Sequence, residues 1–210
     1  DSLHNELALQ KEDKVIIDLD INEILYLANQ TMFVSDLKPI KIQAKAKASM
    51  FPTILSYMGF GGYFNPFTHE AQVNTLQPKL RVITTACHEI AHQWGYAAED
   101  EANYIGINSS AKSSINIVSY AGNLLAFQYL INSLNKIDPD KAKKIIEIIP
   151  KGALDNIKEA SEFWGKYQNP FEIILKKSYD TYLKVNNQQA GINSYSLVVV
   201  LLINDFISEE

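Results

Sequence analysis

The chain has 210 residues, of which 47% are hydrophobic and 20% charged, a composition that excludes a disordered or collagenous protein. The formal net charge of -5 gives no basic footprint, so we expect no nucleic acid partner. The single cysteine, Cys87, excludes an internal disulfide framework and is expected to be a small buried side chain. The longest apolar run, residues 197–203, is too short to span a bilayer.

The first predicted elements are a helix and a strand. Apolar side chains recur at helical spacing over residues 21 to about 33, and Asp20 supplies an N-cap. Apolar residues then alternate with lysines over residues 40–48, which predicts a half-exposed strand. We interpret the lysine row as a solvated face or a blunted sheet edge, and binding of an acidic partner is the less favoured interpretation. The segment GFGGYFNPFT (59–68) is typical of turns and short strands.

From Pro78 onward the pattern predicts helix after helix. One helix ends in a glycine cap at Gly95, and a second begins near Glu99. Further helices are predicted after a cap at Ser113 or Ser114, after Asp138, over residues 153–167 and 170–185, and over about 194–206. The sequence therefore predicts one mainly helical α+β domain over residues 1–210, with a small sheet at about 40–75. Its parts are a helical segment (1–35), the sheet with two site helices (36–110) and a helical remainder (111–210).

The helix before Gly95 carries the motif H-E-x-x-H at His88, Glu89 and His92. A spacing of four residues puts both imidazoles on one helix face, where they can bind one tetrahedral zinc ion. Glu89 projects about 100° further around the helix axis, beside the metal, where it can take a proton from a metal-held water. The less favoured interpretation is a helix with two unrelated histidines and an exposed glutamate.

A catalytic zinc needs a third protein ligand, and three acidic residues follow the glycine. They are Glu99, Asp100 and Glu101. HExxHxxG opens the metzincin pattern, but its third histidine would fall at Ala98, which excludes an imidazole ligand there. The run EDEAN (99–103) is similar to the ExxAN segment of gluzincin metalloproteases. That resemblance implies Glu99 as the third ligand and Asn103 as a hydrogen-bonding partner of a ligand histidine, with Glu101 as the alternative ligand and Asp100 after it.

Several segments also resemble an uncharacterised bacterial family of HExxH proteins, the domain of unknown function 3810. They are YFNPFTHEAQVN, the proline that follows it, TACHEIAHQWGYAAEDEAN and a late SYSLVV, and the resemblance runs from about residue 35 to the C-terminus. Members of that family are expected to carry transmembrane helices ahead of the HExxH domain. The resemblance therefore implies a membrane-anchored protein whose anchor lies outside this chain and whose domain faces away from the cytoplasm.

Together these features predict a zincin-like fold and a zinc-dependent peptidase. One zinc ion is expected on His88, His92 and Glu99, and Glu89 is expected to act as general base. The alternative function is a non-catalytic zinc-binding or peptide-sensing domain of a membrane-anchored protein. A helical interaction module with an accidental HExxH motif is the third hypothesis. The oligomeric state stays open.

Two further assignments concern the substrate, a peptide or protein. An oxyanion donor is predicted at Tyr195, with Tyr120 and Tyr63 as the next candidates, although a core or surface role is more common for any one tyrosine. Gly62, Tyr63 and Phe64 are predicted to form an edge strand against which an extended peptide lies. A structural turn with packed aromatic rings is the other interpretation of that segment.

Overall fold

A computed structural model describes residues 2–8, 12–37, 44–170 and 195–208 of the protein. Within these ranges the chain is mainly helical with one small three-stranded sheet, which confirms the predicted α+β class. The helices are α1 (Ser2–Leu7), α2 (Ile21–Val34), α3 (Pro52–Met58), α4 (Lys79–Gln93), α5 (Glu99–Ala111), α6 (Asn116–Ile137), α7 (Pro139–Ile148), α8 (Lys151–Tyr167) and α9 (Tyr195–Ser208). The strands are β1 (Ala46–Ala48), β2 (Gly62–Asn65) and β3 (Glu70–Val73).

Helix α2 begins at the predicted N-cap, Asp20, which forms a reciprocal capping box with Glu23. The Asp20 carboxylate accepts hydrogen bonds from the backbone N–H groups of Asn22 and Glu23, and the Glu23 side chain accepts one from Asp20 N–H. The apolar stripe of the helix is buried against α4, and it includes Ile24, Leu25, Ala28 and Met32. Helix α2 therefore forms the support on which the HExxH helix packs.

The sheet has the strand order β1-β3-β2, with β1 parallel and β2 antiparallel to the central strand. Strand β1 is shorter than predicted, and just before it the N–H of Lys45 donates to Gln93 Oε1 at 2.8 Å. The Asn29 side chain accepts from Ala46 N–H and donates to the Ala46 carbonyl. Residues 40–43 of the predicted strand lie outside the described residues. Lys47 forms an ion pair with Glu70 of β3, so this lysine contacts an acidic residue within the sheet itself.

Helix α4 is the central element of the core and lies between the sheet and helices α2, α5 and α6. Its fully buried side chains include Val82, Ile83, Ala86, Cys87, Ile90 and Ala91. Burial of the Cys87 thiol, predicted from the sequence, raises its pKa to about 12. Gly95, with a φ of 103°, turns the chain after the helix, as the predicted glycine cap requires.

The remaining described helices follow the predicted order, with one difference at the start of α6. Asp138 caps α7 by accepting from Lys141 N–H, as predicted, but α6 does not begin at a serine cap. Its N-cap is Ile115 without a side-chain hydrogen bond, and Ser113 accepts from Ile115 N–H in the turn before it. The helix predicted over residues 170–185 lies almost entirely outside the described residues. No helix in the described ranges combines the length and apolar character that a membrane span requires.

Candidate metal centre

The site is built where α4 and α5 pack against each other. Gly106 of α5 lies so close to α4 that a Cβ atom there would be 2.9 Å from the backbone nitrogen of His88. Glu99, Asn103 and Gly106 are spaced by four and three residues and therefore share one face of α5. The close approach at Gly106 consequently brings Glu99, two turns away on that face, towards the histidines of α4.

The ligand-type atoms of three side chains converge at this point. His88 Nε2 lies 3.1 Å from His92 Nε2, and the Glu99 carboxylate oxygens lie 3.4 Å from His88 Nε2 and 3.7 Å from His92 Nε2. Tetrahedral zinc with bonds of about 2.0–2.1 Å holds its ligand atoms about 3.3–3.4 Å apart. The two imidazole nitrogens are slightly closer than that, and the two carboxylate distances end at different oxygens of Glu99, so the three side chains form a group that could hold a metal ion. Asp100 and Glu101 do not belong to this group of described side chains.

A hydrogen bond to the backbone fixes which nitrogen of the His92 ring carries the proton. The Tyr96 carbonyl oxygen lies 2.7 Å from His92 Nδ1, and because a carbonyl only accepts, Nδ1 carries the proton. The lone pair of the neutral ring is then on Nε2, the atom that faces His88 and Glu99. His88 Nδ1 is buried without a hydrogen-bond partner among the described residues.

The Glu99 carboxylate and the two histidines have complementary charge. Burial alone opposes ionisation of Glu99, but the contacts from His88 and His92 hold the pKa of its carboxyl well below the usual range. Burial likewise favours a neutral His92, yet the carboxylates of Glu99 and Glu89 raise its pKa. The same electrostatics favour a divalent cation at the point where the three side chains meet.

Glu89 lies beside this group and is not part of it. Its side chain is 4% exposed, and burial raises the pKa of its carboxyl, with His88 and His92 partly opposing the increase. Across from it runs β2, where Gly62 contacts the Glu89 side chain. Glu89 of the HExxH motif thus lies under the edge strand β2, whereas the Glu99 carboxylate, from α5, faces both imidazoles.

The tyrosines predicted as further oxyanion candidates form hydrogen bonds elsewhere in the structure. Tyr63 points to the face of the sheet opposite to Gly62, and its hydroxyl donates to Gln72 Oε1 at 2.8 Å. Tyr120 is buried in the core, where its hydroxyl donates to Asn156 Oδ1 at 3.2 Å and lies 3.0 Å from His4 Nδ1. Both hydroxyls therefore have hydrogen-bond partners outside the group formed by His88, His92 and Glu99. Tyr195 begins α9, and its side chain lies outside the described part of the structure.

The remaining predicted residues are placed as follows. Gly62, Tyr63 and Phe64 do form the edge strand β2, which has a neighbour on one side only within the described residues. The Asn103 amide donates to the Glu99 carbonyl at 2.7 Å, whereas the sequence predicted a bond to a ligand histidine. Sequence reasoning missed Tyr96, because its backbone carbonyl orients His92 and a backbone group leaves no residue-specific signal.

The model of the family described as "protein of unknown function (DUF3810)" matches residues 3–203, and the chain belongs to that family. The match begins close to the N-terminus, so the resemblance predicted from about residue 35 was too short. No curated protein and no solved structure matches the chain.

Proposed function

We propose that this protein is a zinc-dependent peptidase with a zincin-like fold of the gluzincin type. The observation that carries the proposal is the convergence of His88 Nε2, His92 Nε2 and the Glu99 carboxylate, with buried Glu89 next to them. Two histidines one helical turn apart and a carboxylate from the following helix are three protein ligands, which leaves a fourth tetrahedral position for water or substrate.

The residues around the site suit peptide hydrolysis. When bound, zinc supplies a Lewis acid that acidifies water and polarises the scissile carbonyl. Glu89 accepts a proton from the attacking water and passes it to the nitrogen of the leaving amine as the C–N bond breaks. The products are a carboxylic acid and an amine. Tyr96 keeps the proton of His92 on Nδ1 throughout, so Nε2 remains a ligand atom.

The edge of β2 supports an extended peptide as the substrate. Asn74 N–H donates to the Gly61 carbonyl at 2.8 Å, which makes these two residues a hydrogen-bonded pair of the antiparallel ladder. Hydrogen-bonded and non-hydrogen-bonded pairs alternate along an antiparallel ladder. The backbone N–H and carbonyl of Tyr63 therefore also face β3, while those of Gly62 and Phe64 point to the open edge. A peptide strand added there runs beside Glu89.

The family resemblance supports a second part of the proposal. The protein is attached to a membrane through a segment outside this chain, and the domain described here faces away from the cytoplasm.

The proposal is tested by zinc binding and cleavage with three matched glutamate-to-glutamine variants. Wild-type protein, stripped with a chelator and titrated with zinc, should bind one ion and cleave members of a proteome-derived peptide library. Glu89→Gln should keep the zinc and lose cleavage by about 10²–10⁴-fold, because it removes the proton acceptor and no ligand. Glu99→Gln should weaken zinc binding, and Glu101→Gln, an exposed change two residues away, should leave it unchanged.

The outcomes separate the candidate functions. Zinc binding by wild-type protein and by Glu89→Gln, with no cleavage by either, would favour the non-catalytic zinc-binding or peptide-sensing domain. Failure of the wild-type protein to bind zinc at all would remove both functions. Loss of zinc in Glu101→Gln, with zinc retained in Glu99→Gln, would move the third ligand to Glu101.

A further inference from the structure

Gly62 of the edge strand β2 lies next to the side chain of Glu89. A Cβ atom on Gly62 would lie 2.7 Å from Glu89 Oε1 and 2.8 Å from Glu89 Cγ, which is closer than real Cβ atoms approach other groups. The third close neighbour would be the carbonyl oxygen of Gln72, at 2.7 Å. The Glu89 carboxylate therefore occupies the space that a side chain at position 62 would need.

Backbone conformation does not explain a glycine at this position. The described glycines with positive φ are Gly59 and Gly95, and Gly62 has a strand conformation that other residues also adopt. Strand interiors disfavour glycine, because it loses much conformational freedom there and has no side chain to pack. The requirement at position 62 is thus for space, and Glu89 is the side chain that uses it.

The strand itself is held in place on its inner side. The Gly61 carbonyl accepts from Asn74 N–H at 2.8 Å and from Gln77 Nε2 at 2.9 Å, and Asn74 and Gln77 are both buried. The Asn74 side chain donates in turn to Ser56 Oγ at 2.9 Å. Because this buried network fixes the start of β2, an added methyl group at position 62 would meet two obstacles. The Gln72 carbonyl is a backbone group that only a shift of the strands can relieve, whereas the Glu89 carboxylate ends a side chain that can rotate away.

We propose that Gly62 is a positioning residue for Glu89. Its missing side chain leaves the slot that keeps the carboxylate under β2, beside the histidines and next to the backbone groups that face a substrate strand. The inference rests on the proposed function for the role of Glu89 as base. It predicts that Gly62→Ala impairs the proton transfer step, because the new methyl group meets the Glu89 side chain. The methyl group faces α4 and not the open edge, so the backbone groups that would hold a substrate strand stay accessible.

The contact itself is tested by a double-mutant cycle of melting temperatures that requires neither zinc nor activity. Gly62→Ala should lower the melting temperature by about 3–10 °C, the usual effect of overpacking in a chain of this size. In a Glu89→Ala background, where Cγ and the carboxylate are absent, the part of that loss caused by Glu89 should disappear, while the part caused by the Gln72 carbonyl should remain. Gly61→Ala is the matched control, because its Cβ would meet Gln77 and Thr85 and should cost the same in both backgrounds.

The positioning role is tested by kinetics. Gly62→Ala should lower kcat about tenfold or more, while KM and zinc affinity stay within about twofold of wild type. Equal melting losses in the two backgrounds, or an unchanged kcat, would overturn the proposal. If Gly62→Ala folds only together with Glu89→Ala the proposal is supported, and if it folds in neither background it is overturned. A wild-type protein that cleaves nothing refutes the proposed function, and the melting cycle still decides whether Gly62 sets the position of Glu89.

Discussion

Gly106 determines how closely α5 can approach α4, and Gly106→Ala should therefore weaken both the fold and the metal site. The new Cβ would lie 2.9 Å from His88 N, 3.1 Å from His88 Cα and 3.2 Å from the carbonyl carbon of Cys87. All three are backbone atoms in the middle of a buried helix, so no side chain can rotate away. The helices must move apart by about 0.5 Å to restore normal contact distances of about 3.5 Å.

The expected cost follows from that displacement. Overpacking of a core contact costs about 1–3 kcal/mol, and alanine returns about 0.5–1 kcal/mol of helix propensity relative to glycine. The net loss of about 0.5–2 kcal/mol corresponds to a fall in melting temperature of about 1–8 °C. Glu99 moves with α5, away from the histidines, so we expect zinc affinity to fall about 10–100-fold, as for other residues that orient ligands.

The assays are thermal unfolding and competitive zinc titration, and a second helical glycine is the control. Gly165 lies exposed in α8, and a Cβ there would have no neighbour within 4 Å. Gly165→Ala should raise the melting temperature slightly and leave zinc affinity unchanged. The two substitutions are chemically identical and should have opposite effects on stability. A Gly106→Ala protein as stable as Gly165→Ala, with wild-type zinc affinity, would refute the argument that this contact positions Glu99.

Three further predictions concern the rest of the chain. Asn156→Ala should cost about 3–5 kcal/mol in urea unfolding, because its buried side chain makes three hydrogen bonds, whereas exposed Asn123→Ala should cost less than about 1 kcal/mol. Burial opposes ionisation of Asp205, but Lys112 and neighbouring donors lower its pKa, so its stabilising effect should be complete above about pH 4 and lost at lower pH. Unfolding of wild type and Asp205→Asn should therefore differ at pH 7 and converge near pH 2. Cys87, with its pKa raised to about 12, should resist iodoacetamide at pH 8 until the protein unfolds, as measured by mass spectrometry.

Local signals predicted the parts of the fold that depend on few neighbours. The Asp20 cap, the Asp138 cap and the turn at Gly95 each involve residues within about four positions, and each has the predicted structure. The H-E-x-x-H spacing is local too, because one helical turn places both imidazoles on one face. Glu99 is only eleven residues from His88, and a single turn at Gly95 brings it back to the site.

Long-range contacts determine the features that local signals do not predict. Tyr120 binds His4 and Asn156, residues far away in sequence, and nothing near Tyr120 indicates that its hydroxyl is already bonded in the core. The direction of Tyr63 depends on the register of β2 against β3, which a reading of single segments does not fix. The contact between Gly62 and Glu89 joins a strand to a helix further along the chain, so the composition of the glycine-rich segment predicted turns and short strands but gave no sign of this contact.

The two glutamates of the site have different surroundings, and this difference supports their different proposed roles. Glu99 comes from a second helix and has one carboxylate oxygen towards each imidazole, an arrangement that suits an ionised ligand. Glu89 comes from the same helix as the histidines, is almost fully buried and lies under the glycine of an edge strand. A buried carboxyl group with a raised pKa holds a proton more readily than an exposed one, as a proton carrier requires. Exchanging their roles would require Glu89 to reach around the helix to the metal, away from the space that Gly62 provides.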